Sequence, residues 1–202
     1  MVAAVFLDKD GTLIEDVPYN VDPDRMTLMP GAGEALRRLS DAGYRLIVVS
    51  NQSGVARGLF AESALPAVEQ RLREMLAEYG APIAGFYYCP HHPDGVVPDY
   101  AIHCDCRKPE PGLILRAAQE HGIALDESWF IGDILNDVEA GRRAGCRTIL
   151  LDNGNETEWE LSRQRLPDCV VSDLRDAADR ILCSRVAANF ANLNELGELL
   201  KG

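Results

Sequence analysis

The chain has 202 residues, a length that predicts one domain with at most a small appendage. A hydrophobic content of 47% is ample for a core, and a net charge of −12 argues against a nucleic-acid backbone or an anionic membrane surface as the main partner. No apolar run approaches the roughly 20 residues of a membrane span, and no basic segment leads into a cleavable apolar one. The expectation is a cytoplasmic monomer whose six cysteines are reduced thiols or metal ligands.

In chain order, short apolar runs alternate with amphipathic helical patterns. Strands are predicted at 3–7, 45–49, 85–88, 129–131, 148–151 and 169–171. Helices are predicted at 31–42, 62–79, 112–119, 137–144 and 173–181. Gly43, Gly80, Gly122 and Gly145 stand where helix ends favour a left-handed residue. This alternation predicts an α/β fold with a mostly parallel sheet, whose ligands sit beyond the carboxyl ends of the strands. Residues 14–29, with Pro18 and Pro23, predict a loop or hairpin, and 89–111 an irregular loop. Beyond about Leu182 the chain predicts an added terminal helix with no assignable role.

The first strand ends in Asp8-Lys9-Asp10-Gly11-Thr12. An extended chain points residues i and i+2 to one side, so Asp8 and Asp10 share a small volume. Two like charges that close require a cation or a shared proton. A polar turn and an aspartyl nucleophile with an acid/base partner both fit these residues. A calcium loop does not, because no Asp or Asn precedes the Gly in register and no Glu closes the loop.

Later elements add chemistry at the same sheet end. The second strand ends at Ser50, followed by Asn51, Gln52 and Ser53; its hydroxyl either caps a helix or holds a phosphate oxygen. Cys89-Pro90-His91-His92 and Cys104-Asp105-Cys106 place three thiols and an imidazole within eighteen residues, which predicts a closed structural zinc site of Cys89, His91, Cys104 and Cys106. His91 is preferred because Cys89-x-His91 mirrors Cys104-x-Cys106; His92 and His103 are read as bystanders. Cys146, Cys169 and Cys183 read as core thiols. Arg107 and Lys108 follow the last ligand, either as a solvated pair or as cations anchored by the metal. Gly132-Asp133 ends a fourth strand, and Asn136 or Asp137 either caps the next helix or serves the site.

Taken together, Asp8-x-Asp10-Gly11-Thr12, Ser50, Lys108 and Gly132-Asp133-x-x-x-Asp137 resemble the four motifs of the haloacid dehalogenase-like superfamily. The resemblance covers about residues 3–182, with a domain expected at 1–183 and a helical extension at 184–202. It implies a Rossmann-like, doubly wound parallel sheet with helices on both faces, Mg²⁺ and an aspartyl-phosphate intermediate. Within the superfamily, the zinc loop with Arg107-Lys108-Pro109, and Asn51-Gln52-Ser53-Gly54, resemble the D-glycero-D-manno-heptose 1,7-bisphosphate 7-phosphatases. The histidinol-phosphate phosphatases share the loop and are the alternative; a phospholigand-binding module that keeps the fold is the non-enzyme alternative. Ile134 stands where heptose enzymes often carry Lys.

The resemblance further implies that Asp8 is the nucleophile and Asp10 the acid/base. Ser50 and Lys108 would hold the phosphoryl group. Mg²⁺ would be held by the side chains of Asp8 and Asp133 and the backbone carbonyl of Asp10. Asp16, Val17, Pro18, Tyr19, Asn51, Gln52, Ser53 and Arg107 would meet a small phosphorylated sugar. The gaps between motifs are too short for a cap domain, so a capless site closed by the Pro18 loop and a zinc-pinned loop is expected.

Overall fold

The computed structural model describes the backbone of residues 1–199 and the side chains of residues 1–187. Six strands form one parallel sheet: β1 (Ala4–Leu7), β2 (Arg45–Asn51), β3 (Ile83–Cys89), β4 (Trp129–Gly132), β5 (Arg147–Leu151) and β6 (Cys169–Val171). Their spatial order is β3-β2-β1-β4-β5-β6. Chain progress therefore reverses direction at β1, which pairs with β2 on one side and β4 on the other. A crevice opens at such a switch point, outside the carboxyl ends of the two central strands.

Alternation along β1 builds two cores. Val5 and Leu7 face α1 (Ala32–Asp41), α2 (Leu65–Ala77) and α5 (Leu174–Leu199). Ala4 and Phe6 face α3 (Gly112–His121) and α4 (Leu135–Ala144). All four β1 side chains are fully buried, as a central parallel strand covered on both faces requires. The expected doubly wound α/β architecture is the one observed. Gly43, Gly80, Gly122 and Gly145 all have positive φ at helix ends, where a left-handed residue closes the last turn.

Among the described residues no cap domain interrupts the fold. Residues 14–29 make an open hairpin, with an antiparallel bridge between Ile14 and Leu28 and Met29 N bonded to the Leu13 carbonyl. The segment between β3 and α3 is the cysteine-bearing loop. Two differences from expectation stand out. The terminal helix is not a separate piece: α5 runs unbroken through residue 183, and only residues 200–202 of the expected extension lie outside the described residues. Cys183 is not a core thiol but exposed, whereas Cys146 is buried and Cys169 half-buried. The reason is helical phase. Leu174, Ala177, Ala178 and Ile181 form the buried stripe of α5, and two residues beyond Ile181 the helix has turned about 200° away.

Candidate active site

The crevice at the switch point collects carboxylates from two strand ends. Asp8 directly follows β1, and its N–H continues the sheet by donating to the Ile131 carbonyl at 3.0 Å. Asp133 directly follows β4. Asp137, in the first turn of α4, is completely buried. Carboxylate oxygens of Asp8, Asp133 and Asp137 lie within 4.8 Å of one another. Two glycines admit this crowding. A Cβ on Gly11 (φ 76°) would lie 2.1 Å from Asp133 Oδ2, and one on Gly132 would lie 2.3 Å from Asp137.

Lys108 arrives from the far end of the cysteine-bearing loop. Its Nζ lies 2.5 Å from Asp8 Oδ1 and 2.6 Å from Asp137 Oδ1, and it donates to the Val49 carbonyl at 2.9 Å. Asp137 Oδ1 has no well-aligned hydrogen-bond donor, so its contact with Lys108 is ionic. Asp137 Oδ2 accepts from Ile134 N at 3.3 Å. Asp137 thus serves both open readings at once, capping α4 and orienting Lys108.

Electrostatics mark the cluster as short of positive charge. Burial pushes the Asp8 carboxyl well above its usual range, and Asp137, Asp133 and Asp10 push it further; Lys108 opposes them. Asp133 is raised to about 6, first by burial and then by Asp137. Burial alone would depress the Lys108 ammonium, but Asp137 and Asp8 more than offset this and hold it charged. Three carboxylates against one ammonium leave a net deficit, and an oxygen-only donor set suits a hard divalent cation. The residues present therefore fit magnesium.

The Asp10 carboxylate is not part of the metal-sized cluster. Its Oδ1 lies 2.5 Å from the buried Lys9 Nζ, and its Oδ2 accepts from Gln52 Nε2 at 3.0 Å. Gln52 also donates to Ser50 Oγ at 2.8 Å. The Gln52 amide thereby joins the proposed acid/base to the strand-end hydroxyl. Ser50 lies inside β2, and only turns follow that strand up to residue 60, so it caps no helix. Asn51 holds the Lys108 peptide at both ends: Nδ2 donates to the Lys108 carbonyl at 3.1 Å, and Oδ1 accepts from Lys108 N at 3.0 Å.

Asp10, Asp16, Pro18, Tyr19, Asn51, Gln52 and Ser53 line one cavity of about 290 Å³. Of the expected substrate contacts, two depart from it. Val17 is absent from the lining, and its carbonyl instead accepts from Asn20 N in a turn. Arg107 lines a separate depression of about 390 Å³ together with Lys108, His92 and Asn136.

The cysteine-bearing loop gathers the second cluster. Cys106 Sγ lies 3.2 Å from both Cys89 Sγ and Cys104 Sγ, and 3.3 Å from His91 Nδ1; Cys89 and Cys104 are 3.5 Å apart. Edges of a tetrahedron around zinc with thiolate ligands are roughly 3.8 Å, so these four donors fit such an ion after small adjustment. The neighbouring His92 turns to Arg57 instead, with Nε2 3.0 Å from Nη2. Hydrogen bonding to Cys89 lowers the Cys106 thiol to about 5, whereas Cys89 is raised by its hydrogen bond with Cys106 and by burial.

Sequence reasoning missed the loop after β5. Asn155 Nδ2 donates to Asp133 Oδ2 at 2.7 Å, and Asn153 Nδ2 donates to the Gly11 carbonyl at 2.7 Å. Thr12, quoted only as part of a motif, donates to Asp133 Oδ1 at 3.1 Å.

Comparison with known proteins fits this geometry. A haloacid dehalogenase-like hydrolase family model matches residues 5–67, and a second model of the same kind matches 105–177. The D-glycero-β-D-manno-heptose-1,7-bisphosphate 7-phosphatase of Yersinia pestis is 37% identical over 176 residues, covering 87% of this chain and 93% of its own. That of Escherichia coli K12 is 37% identical over 181 residues, covering 89% and 94%. The chain belongs to the haloacid dehalogenase-like hydrolases, in the family of these phosphatases.

Solved structures agree with that family. A HAD-like phosphatase from Mesorhizobium loti superposes with a TM-score of 0.78 at 36% identity, covering 89% of this chain and 86% of its own. A D,D-heptose 1,7-bisphosphate phosphatase from B. bronchiseptica, solved with magnesium and phosphate, gives 0.77 at 33% identity, covering 90% and 99%. This haloacid dehalogenase-like hydrolase is an enzyme acting on phosphoric monoesters, so the reading as a mere binding module is not needed. Among its described residues no helix is long and apolar enough to cross a membrane.

Proposed function

We propose that the chain removes the 7-phosphate from D-glycero-D-manno-heptose 1,7-bisphosphate through a phosphorylated Asp8, with magnesium held by Asp8, Asp133 and the backbone carbonyl of Asp10. The observation that carries this reading is the buried group of Asp8, Asp133 and Asp137 crossed by a single ammonium, Lys108. Such a group has the charge deficit of a cation site and a carboxylate facing the crevice. The named relatives supply the substrate.

Asp8 forms a bond to phosphorus as the bond from phosphorus to the sugar oxygen breaks. Asp10 gives the leaving alkoxide its proton, then takes one from the water that cleaves the acyl phosphate; such help is worth roughly 10²–10⁴-fold. Gln52 and Lys9 fix the Asp10 carboxylate for both transfers. Lys108 and Ser50 steady the phosphoryl oxygens, and Asn51 holds Lys108 in place. Magnesium, when bound, offsets charge on the phosphoryl oxygens and relieves the carboxylate repulsion. Asp16, Pro18, Tyr19 and Ser53 line the cavity where the sugar would lie. Arg107 would meet the remote phosphate from its own depression.

Zinc on Cys89, His91, Cys104 and Cys106 is part of the proposal. It would order the segment that delivers Arg107 and Lys108. Residues 1–183 form the phosphatase domain in this reading, and 184–202 an extension. A cytoplasmic monomer suits a thiol cluster that must stay reduced. Phosphate release from a panel of sugar and amino-alcohol phosphates, with and without magnesium, tests the assignment. Fastest release from the heptose bisphosphate, dependent on magnesium, is expected. Equal or faster turnover of histidinol phosphate would overturn the specificity.

A further inference from the structure

The loop that follows β5 reaches the site from a side that no motif strand occupies. Three of its side chains each bind a different part of the site. Asn153 holds the Gly11 carbonyl, Asn155 holds Asp133 Oδ2, and Glu156 Oε2 accepts from Leu135 N at 2.6 Å. The loop is also ordered within itself, because Asn153 Oδ1 accepts from Asn155 N and Glu156 Oε1 accepts from Glu158 N. Further along, Arg165 Nη2 donates to Asn136 Oδ1 at 2.6 Å, and its Nε lies 3.2 Å from Glu139 Oε2. The segment is therefore strapped to α4 at two places.

The consequence falls on Asp133. Thr12 donates to its Oδ1 and Asn155 to its Oδ2, so donors on both oxygens fix the plane of the carboxylate. A carboxylate oxygen has two lone pairs, and each keeps one free for a cation. Asp8 and Asp137 lie close by and repel Asp133. A carboxylate free to rotate would turn away from them, and the Asn155 amide opposes that rotation. Ligand carboxylates depend on such hydrogen-bonded neighbours for their orientation.

We propose that Asn155 is a positioning residue that sets the magnesium affinity of Asp133, and that the Asn153–Glu156 strap carries it there. The inference rests on the reading that Asp8 and Asp133 hold magnesium. It separates from a purely structural role, in which Asn155 only ties down a surface loop.

Titration calorimetry with magnesium chloride alone tests it on the wild type, Asn155→Leu, Asn155→Ala, Asn155→Gln and Asn153→Ala. The leucine variant keeps the bulk of the side chain without its hydrogen bond. Both truncations are expected to weaken magnesium binding about 10–100-fold, with a smaller loss for Asn153→Ala. Asn155→Gln, which keeps the amide donor, recovers part of the loss. Circular dichroism and unfolding without magnesium establish that each variant is folded. Wild-type affinity in both truncations would overturn the proposal, and so would an equal loss in Asn153→Ala. Failure of both truncations to fold would show a structural role and overturn it as well. A wild type that binds no magnesium would instead overturn the metal reading on which the inference stands.

Discussion

Among its described residues the molecule gathers two clusters of groups that could hold a metal ion, and treats them differently. At the switch point, hard carboxylates stand at the ends of strands the sheet already fixes, and the protein supplies one cation of its own, Lys108. In the loop after β3, soft thiols and an imidazole sit on a segment with few apolar residues. Hydrogen bonds exchanged between Ala56 and Pro90, Val96 and Val97, and from Tyr100 to Glu62, hold that segment, together with the mutual contacts of the four donors. The first cluster has a sheet for its scaffold and lacks charge balance; the second is anchored by the end of β3 and by loop hydrogen bonds. A metal at the first would therefore act on chemistry, and a metal at the second on folding. The two are joined through Lys108, which hangs from the thiol loop and ends among the carboxylates.

Substitutions can break this division of labour. Asp8→Asn removes the proposed nucleophile and is expected to lower kcat by at least about 10³-fold, with the fold intact; phosphate-release assays and circular dichroism check both halves. Lys108→Met takes the only ammonium from the cluster. We expect a loss of about 10²–10³-fold in kcat, and metal-free stability lower by about 3–5 kcal/mol because buried carboxylates are left unpaired. Denaturant unfolding with and without magnesium would read that cost, and magnesium should recover part of it.

Cys106→Ser is expected to abolish zinc retention, measured by metal analysis, and to make residues 90–111 sensitive to protease. Its effect on kcat should be smaller than that of Lys108→Met, because Asn51 still holds the Lys108 peptide. Retained zinc in this variant would break the comparison.

The smallest effect is on pH. Asp133 binds its proton up to about 6 in the metal-free fold, above the ordinary carboxylate range of about 4. A raised carboxyl stabilises the metal-free fold below about pH 4, and this contribution is lost as pH rises through about 6. Magnesium must displace that proton below about pH 6, so its affinity should fall by up to about tenfold per pH unit there. Calorimetry at pH 5 and pH 7 measures the difference.

Much of this was legible in the chain. Strand-end acids, a strand-end hydroxyl and helix-closing glycines carry strong local signals, because each has one structural place where it is most stable. The thiol loop was legible for the same reason, since three Cys and a His in eighteen residues have few other uses. What stayed hidden depends on contacts between distant segments. Nothing in Asp152-Asn153-Gly154-Asn155-Glu156 announces that two of its amides reach Gly11 and Asp133. The sequence resemblance implies that Asn51 and Gln52 face substrate. Their sequence positions are right for the cavity, but their amides are engaged with Lys108, Asp10 and Ser50. The exposure of Cys183 turned on helical phase alone, since α5 runs on where the pattern suggested a stop.

The central claim is that Asp8 itself carries the phosphoryl group. Enzyme quenched in acid during turnover, digested and analysed by mass spectrometry, should show a phosphoryl adduct on the peptide containing Asp8, and none in Asp8→Asn. Steady phosphate release with no adduct on that peptide, or with the adduct on another residue, would contradict the account.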